Sequence, residues 1–157
     1  MNYDQQKTIK EFYDDFSKRV NDTVVSLEMA SFEASPAVLD ELHMETAPAA
    51  KELWGLLVFC SHSMYFYVHP YESAMSMMIR QAARGKEPKE QLLNISELNS
   101  VAFSKVPRRW YEFSFLSSVG KLCMEYCNEQ GNKHFVYMTL QHKADVVLEK
   151  INSVLKA

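Results

Sequence analysis

The chain has 157 residues, of which 47% are hydrophobic and 24% are charged, and this balance is typical of a globular domain with its own core. Its 4 glycines and 5 prolines are too few for a disordered chain or a long flexible linker. The formal net charge of -3 excludes a globally basic nucleic-acid-binding protein, so we expect no nucleic-acid partner, although a local basic patch stays open.

Charge is distributed unevenly along the chain. Residues 1–50 carry 4 basic and 10 acidic side chains, whereas residues 51–157 carry 13 basic and 10 acidic ones. Either the two parts present separate solvated surfaces, or the acidic segment docks on the basic face. We favour separate solvated surfaces.

The N-terminal residues and the cysteines indicate a cytoplasmic protein. The first fifteen residues contain no apolar segment of the kind found in secretory signals. Cys60, Cys123 and Cys127 are an odd number of cysteines and lie in apolar stretches, which favours reduced, mostly buried thiols in a reducing compartment.

The first predicted element is an amphipathic helix over about 5–21. Its apolar side chains recur at helical spacing, at Ile9, Phe12, Tyr13, Phe16 and Val20. Thr8 and Glu11 match a capping box. This apolar stripe needs to be buried, either on its own domain or on a second subunit, and we favour a homodimer.

The next segments are less clearly patterned. The spacing of Val24 and Leu27 continues the helix, while an alternating strand over the same residues is the other interpretation; we favour the helix, ended by Ser35-Pro36. Residues 38–46 are a predicted strand, or a short helix by propensity alone.

The most apolar stretch, LWGLLVFCSHSMYFYVHP (53–70), predicts a β-hairpin. A transmembrane helix needs about 20 mostly apolar residues, and the polar Ser61-His62-Ser63 divides this stretch into two strand-sized halves. We therefore predict strands over 53–60 and 63–69 and no transmembrane segment.

The remaining predicted elements are a helix, four strands and a closing helix. Alanine, methionine, glutamine and arginine favour a helix over 71–84 that ends at Gly85. Four strands then follow, over 91–103, 110–118, 121–127 and 134–140, with a glycine-containing turn before the last. A closing amphipathic helix has Ala144, Val147, Leu148, Ile151 and Leu155 on one face.

The order of these elements resembles the pleckstrin-homology-like superfold, and within it the GRAM and bacterial PH-like families. The similar stretches are LWGLLVFCSHSMYFYV, LLNISELNSVAF and the final KADVVLEKINSVL. The resemblance covers 38–157 and implies an α+β, mainly β domain: a seven-stranded sandwich or barrel with a C-terminal capping helix. The N-terminal helix and the helix inserted after the first hairpin depart from the family. We thus divide the chain into a helical extension (1–36) and a PH-like domain (37–157).

The superfold implies binding to phosphoinositides, peptides or neighbouring parts of the same protein. Family members that bind phosphoinositides carry basic residues around the first hairpin loop, because lipid phosphates need several cationic donors. The predicted loop, 60–63, has no lysine or arginine. We therefore expect no specific phosphoinositide binding.

Motifs for catalysis, metals and cofactors are absent from the sequence. It has no GxSxG, GxGxxG or GxxxxGK[ST] motif and no histidine or cysteine pair at metal-ligand spacing. On a strand, Cys123 and Cys127 would lie about 13 Å apart, too far for one metal ion. We predict no catalytic residues, no metal and no cofactor.

Two features favour a binding role. The first is a basic group that forms one patch if the inserted helix lies near the turn at 105–109: Arg80, Arg84, Lys105, Arg108 and Arg109, beside Trp110. The second is Met75 and Met78, which share a helical face with Ile79. We expect this face to lie on the sheet; an exposed face would instead mark a partner site.

The leading hypothesis is a non-catalytic module that binds protein, itself included, through the two extra helices. The rival is a small-ligand-binding or enzymatic β-barrel with a pocket between the sheet and the inserted helix. Its chemistry would depend on His62, His69 or a cysteine.

Overall fold

The structure is a computed structural model that describes residues 3–46, 52–70, 74–85, 89–107 and 120–156. These residues form four α-helices and seven strands. In chain order they are α1 (Tyr3–Val20), β1 (Val24–Glu33), α2 (Pro36–Glu41), β2 (Leu53–Cys60), β3 (Met64–Val68), α3 (Ala74–Ala82), β4 (Gln91–Asn94), β5 (Asn99–Lys105), β6 (Lys121–Cys127), β7 (Lys133–Leu140) and α4 (Ala144–Leu155).

The strands make one antiparallel sheet in the order β4-β3-β2-β1-β7-β6-β5. The predicted α+β, mainly β class is confirmed, as are the N-terminal helix, the helix inserted after the hairpin and the C-terminal helix. The sheet is not closed into a barrel, since β4 and β5 are its two edges within the described residues.

The main core lies on the inner face of the sheet, under α2 and α4. The rings of Phe32 and Phe66 stack there, with centroids 3.7 Å apart. Gly55 makes room for this stack, because a Cβ at that position would lie 2.5 Å from the Tyr67 carbonyl and 2.9 Å from the Phe66 ring. α4 completes the core with the buried side chains of Val147, Ile151 and Val154.

The outer face is half covered by α1. Phe16 is buried there, with its ring 5.6 Å from that of Tyr65 and 5.8 Å from that of Tyr67. Phe12 and Val20 pack around the same cluster. The predicted stripe is therefore covered within the chain except at Ile9, which is 41% exposed, and this helix gives little reason of its own to invoke a second subunit.

The favoured helical interpretation of the segment after α1 is wrong, because this segment is β1. The helix ends at Asn21, whose φ of 54° lies in the left-handed region that asparagine tolerates. β1 then pairs with β2 on one side and β7 on the other. The segment 1–36 therefore contains a central strand of the sheet as well as a helix.

Of the two interpretations of 38–46, the strand is wrong and the short helix is confirmed for the first part of the range, because α2 covers Pro36–Glu41. Ser35 acts as the N-cap, and its hydroxyl accepts a hydrogen bond from the Val38 N–H at 3.4 Å. Pro36 occupies the first helical turn, where its fixed φ and missing N–H are tolerated. Ser35-Pro36 thus starts a helix rather than ending one.

The predicted strand 91–103 is divided into β4 and β5 by a short 3-10 turn, Ile95–Glu97. The predicted strand 110–118 lies outside the described residues, so the seven strands are not the seven that were predicted. Within the predicted helix 71–84, α3 is confirmed, although the left-handed conformation after it falls on Arg84 (φ 52°) and not on Gly85.

The hairpin β2–β3, the strands β6 and β7 and the closing helix α4 are confirmed. The turn between β6 and β7 is held by the Asn128 side-chain oxygen, which accepts hydrogen bonds from the N–H groups of Gln130 and Asn132. Gly131, with a φ of 82°, supplies the left-handed residue of this turn.

We predict that Phe16→Ala lowers the free energy of unfolding by about 3 kcal/mol, because it removes a buried ring from between α1 and the sheet. Ile9→Ala, on the exposed part of the same helix, is the matched control and should cost less than about 1 kcal/mol. Urea denaturation measures both. Equal costs for the two variants would show that α1 does not pack on this sheet.

Candidate functional site

Helix α3 turns its apolar face to solvent. A period of 3.6 residues places Met75, Met78 and Ile79 on one side of the helix, and they are 73%, 71% and 64% exposed. Arg80, on the roughly opposite side, is only partly exposed. The expectation that the methionine face lies on the sheet is therefore wrong. Met77, on the other side of the helix, is also 42% exposed.

The predicted basic residues are not all brought together. Arg80 and Arg84 lie on or just after α3, which precedes β4 in the chain, whereas Lys105 ends β5, the edge strand opposite β4. The Lys105 ammonium pairs with the Asp145 carboxylate at 2.6 Å, at the start of α4. Three of the predicted residues lie outside the described residues: Arg108, Arg109 and Trp110. A single patch across both edges stays a prediction.

The chain leaving α3 is fastened to α1 and β3. The Arg19 guanidinium contacts the Glu90 carboxylate, and this hydrogen bond lowers the pKa of Glu90. Burial, together with Glu90, raises the pKa of Tyr67, whose hydroxyl lies 3.3 Å from His69 Nδ1. His69 lies just before the segment that contains α3, and Glu90 lies just after it. These contacts therefore hold both ends of that segment against α1 and β3.

The turn of the β2–β3 hairpin is organised by Asp22. Its carboxylate accepts hydrogen bonds from the Ser63 hydroxyl at 2.6 Å and from the N–H groups of Thr23 and His62 at 2.8 and 3.0 Å. Burial acts to raise the pKa of Asp22, but these hydrogen bonds outweigh it and lower the pKa from 3.8 to about 2. Asp22 thus joins the end of α1 to the hairpin.

Two of the three cysteines are poorly suited to act as nucleophiles. Cys60 is buried, and burial together with the Asp22 charge raises the pKa of its thiol to about 11, which disfavours the nucleophilic thiolate. Burial likewise raises the pKa of Cys123. Among the described residues, no three histidine, cysteine or acidic side chains are grouped so as to hold a metal ion.

A buried tyrosine lies beside α2. Tyr126 donates a hydrogen bond to Glu41 Oε1 at 3.3 Å, and burial together with the Glu41 charge raises its pKa to about 12. His134 Nε2 is 3.4 Å from Glu41 Oε2 but makes no hydrogen bond within the described residues. The neutral phenol therefore acts as a structural donor and not as a base.

A cleft of about 490 Å³ lies between the end of β1 and α2. It is lined by apolar residues and by the acidic residues Glu33, Asp40 and Glu45. The pocket between the sheet and α3, on which the small-ligand alternative depends, stays a prediction.

A second exposed apolar surface was missed from the sequence. We call it the outer-face patch: Met29, Trp54, Phe135 and Tyr137, on the half of the outer face that α1 leaves uncovered. The signal for it lies in the segment HFVYMTL. There Val136, Met138 and Leu140 are buried inward, so the alternating Phe135 and Tyr137 must point outward.

Comparisons with known proteins gave no relative: no family model matches the chain, and no curated protein or solved structure matches it. In the parts of the chain that the structure describes, every helix is too short or too polar to cross a membrane.

We predict that Asp22→Asn lowers the free energy of unfolding at pH 7 by about 2 kcal/mol, the equivalent of the pKa shift from 3.8 to about 2. A depressed folded-state pKa stabilises the protein above the unfolded-state pKa, and this contribution is lost as pH falls from about 4 to 2. The wild type should therefore lose about 2 kcal/mol more stability over this window than the variant, in which only the other carboxylates, such as Glu90, still respond to pH. Parallel pH profiles from denaturant titrations would refute the Asp22 assignment.

Proposed function

We propose that this protein is a non-catalytic binding module that takes a partner protein on the exposed apolar face of α3. The observation that carries the proposal is the solvent exposure of Met75, Met78 and Ile79. A contiguous exposed apolar face rimmed by polar residues is a common mark of a protein-binding site.

The chemistry of this face favours a helix-in-groove mode of binding. Methionine side chains are flexible and polarisable, and they adapt to apolar grooves of irregular shape. Arg84 and Lys89, both exposed, follow the helix and supply positive charge at its rim. The partner that fits is a protein with an apolar groove bordered by acidic side chains.

The PH-like assignment is part of this proposal. It is supported by a meander of antiparallel strands in which β1 lies between β2 and β7, closed by a C-terminal helix. The loop that follows β1, and not the turn at 60–63, is the first hairpin loop of this sheet. Its described part, 34–46, carries Asp40, Glu41 and Glu45 and no lysine or arginine, which disfavours phosphoinositides as ligands.

A reducing, cytoplasmic location is also proposed. It is supported by the three cysteines, all of which are free thiols in this structure, with Cys60 buried.

We predict that Met75→Gln/Met78→Gln weakens binding to the partner at least about tenfold, because it removes two apolar contacts while keeping helix propensity. The partner is first trapped with a photo-crosslinking residue at position 78 of the full chain, and then purified. Calorimetry gives its affinity for the wild type and the variant.

Val146→Gln is the matched control, because Val146 is an exposed apolar residue on a different helix, α4. It should leave the affinity unchanged. The proposal fails if position 78 traps no protein, or if the partner binds the double variant as tightly as the wild type.

A further inference from the structure

The outer-face patch is a contiguous apolar surface on three neighbouring strands. Met29, Trp54, Phe135 and Tyr137 are 48%, 52%, 45% and 51% exposed. With strands about 4.8 Å apart and a rise of about 3.3 Å per residue, the strand register places them within roughly 10 by 20 Å. The neighbouring part of the outer face, at Leu27, Leu56 and Val58, is covered by α1.

The patch has about the apolar area that a dimer interface of ordinary size requires. Large side chains bury about 150–250 Å² each, so four half-exposed ones leave roughly 400 Å² of apolar surface. A standard interface buries about 800 Å² per partner, of which roughly 60% is non-polar. The patch alone thus supplies most of the apolar area of such an interface.

The charges at the rim of the patch are self-complementary. Glu33 on β1 and Lys121 on β6 are both exposed, point to the same face and lie on opposite sides of β7, roughly 12 Å apart. Within the described residues neither has an ion-pair partner. Two such sheets can pack face to face around a two-fold axis that lies between them and runs along β7. This axis places Glu33 of each copy near Lys121 of the other.

The same axis brings the aromatic residues of β7 onto their own copies. Phe135 and Tyr137 lie on this strand, so each would pack against its symmetry mate, as residues on the axis of an isologous interface do. Trp54 would reach the partner's β6 side, close to Lys121. Sheet-on-sheet contact about 10 Å apart is an ordinary packing geometry.

We propose that two copies of this chain form an isologous dimer through the outer-face patch, held at its rim by reciprocal Glu33–Lys121 ion pairs. This inference uses a surface separate from α3 and does not depend on the function proposed for that helix.

Sedimentation velocity of the full chain over a range of concentrations, at low salt, tests the dimer. The wild type should reach twice the 18.2 kDa mass of one chain. Glu33→Lys and Lys121→Glu should each raise the dimer dissociation constant at least about tenfold, because two like-charge contacts replace two ion pairs. The double reversal Glu33→Lys/Lys121→Glu should restore the wild-type constant.

Tyr137→Thr, which keeps a strand-forming residue at the centre of the patch, should abolish the dimer, while Met78→Gln on α3 should not change it. Circular dichroism shows that each variant is folded. The inference is overturned if the wild type is a monomer at every concentration, if the double reversal does not restore association, or if Met78→Gln dissociates the dimer and Tyr137→Thr does not.

Discussion

The pairing of β1 on both of its sides is the interaction on which the rest of the structure depends. It pairs with β2 from Val24 to Phe32, and its last four residues also pair with β7, so it joins the hairpin half of the sheet to the β5–β7 half. The buried Glu28 carboxylate of β1 accepts two hydrogen bonds from His142, one from the backbone N–H at 2.9 Å and one from the ring Nδ1 at 2.7 Å. These bonds fix the loop that leads into α4. The helix that closes the core is therefore positioned by the same strand. A carboxylate buried this deeply is tolerated because both of its oxygens have hydrogen-bond partners.

Local patterns were sufficient for elements whose burial is one-sided or whose turns are chemically specified, such as α1, α4, the β2–β3 hairpin and the Asn128 turn. They failed for β1, because its spacing of apolar residues suits a helix as well as a strand, and the choice is made by distant partners on β2 and β7. The local signals that favour a strand over a continued helix are the left-handed Asn21 and the Asp22 carboxylate, which end α1. At Ser35-Pro36 the sequence predicts the end of a helix, whereas the pair forms the N-cap and first turn of α2.

The candidate site was predictable in its residues but not in its orientation. The sequence places Met75, Met78 and Ile79 on one helical face, and an amphipathic helix ordinarily turns such a face inward. Here the inner and outer faces of β3 are already covered by the core and by α1, so the sheet offers α3 no apolar surface at this edge. The outer-face patch was hidden for a related reason: β7 is apolar on both faces, so its sequence does not show which face a helix covers. Burial on each face depends on where α1 and α4 lie, and this is a tertiary property.

The two exposed surfaces complement each other. The patch lies across β2, β1 and β7, whereas α3 projects from the β3–β4 edge, and α1 lies on the outer face between them. A second copy bound to the patch would therefore leave the apolar face of α3 exposed in each of the two copies. A nine-residue helix buries little area on its own, so a single α3 contact would be weak. In a dimer, binding of one α3 helix to a partner raises the effective concentration of the second α3 helix. A partner with two grooves would therefore bind tightly, and a partner with one groove would bind weakly. Dimerisation through one apolar surface would in this way set the selectivity of the other.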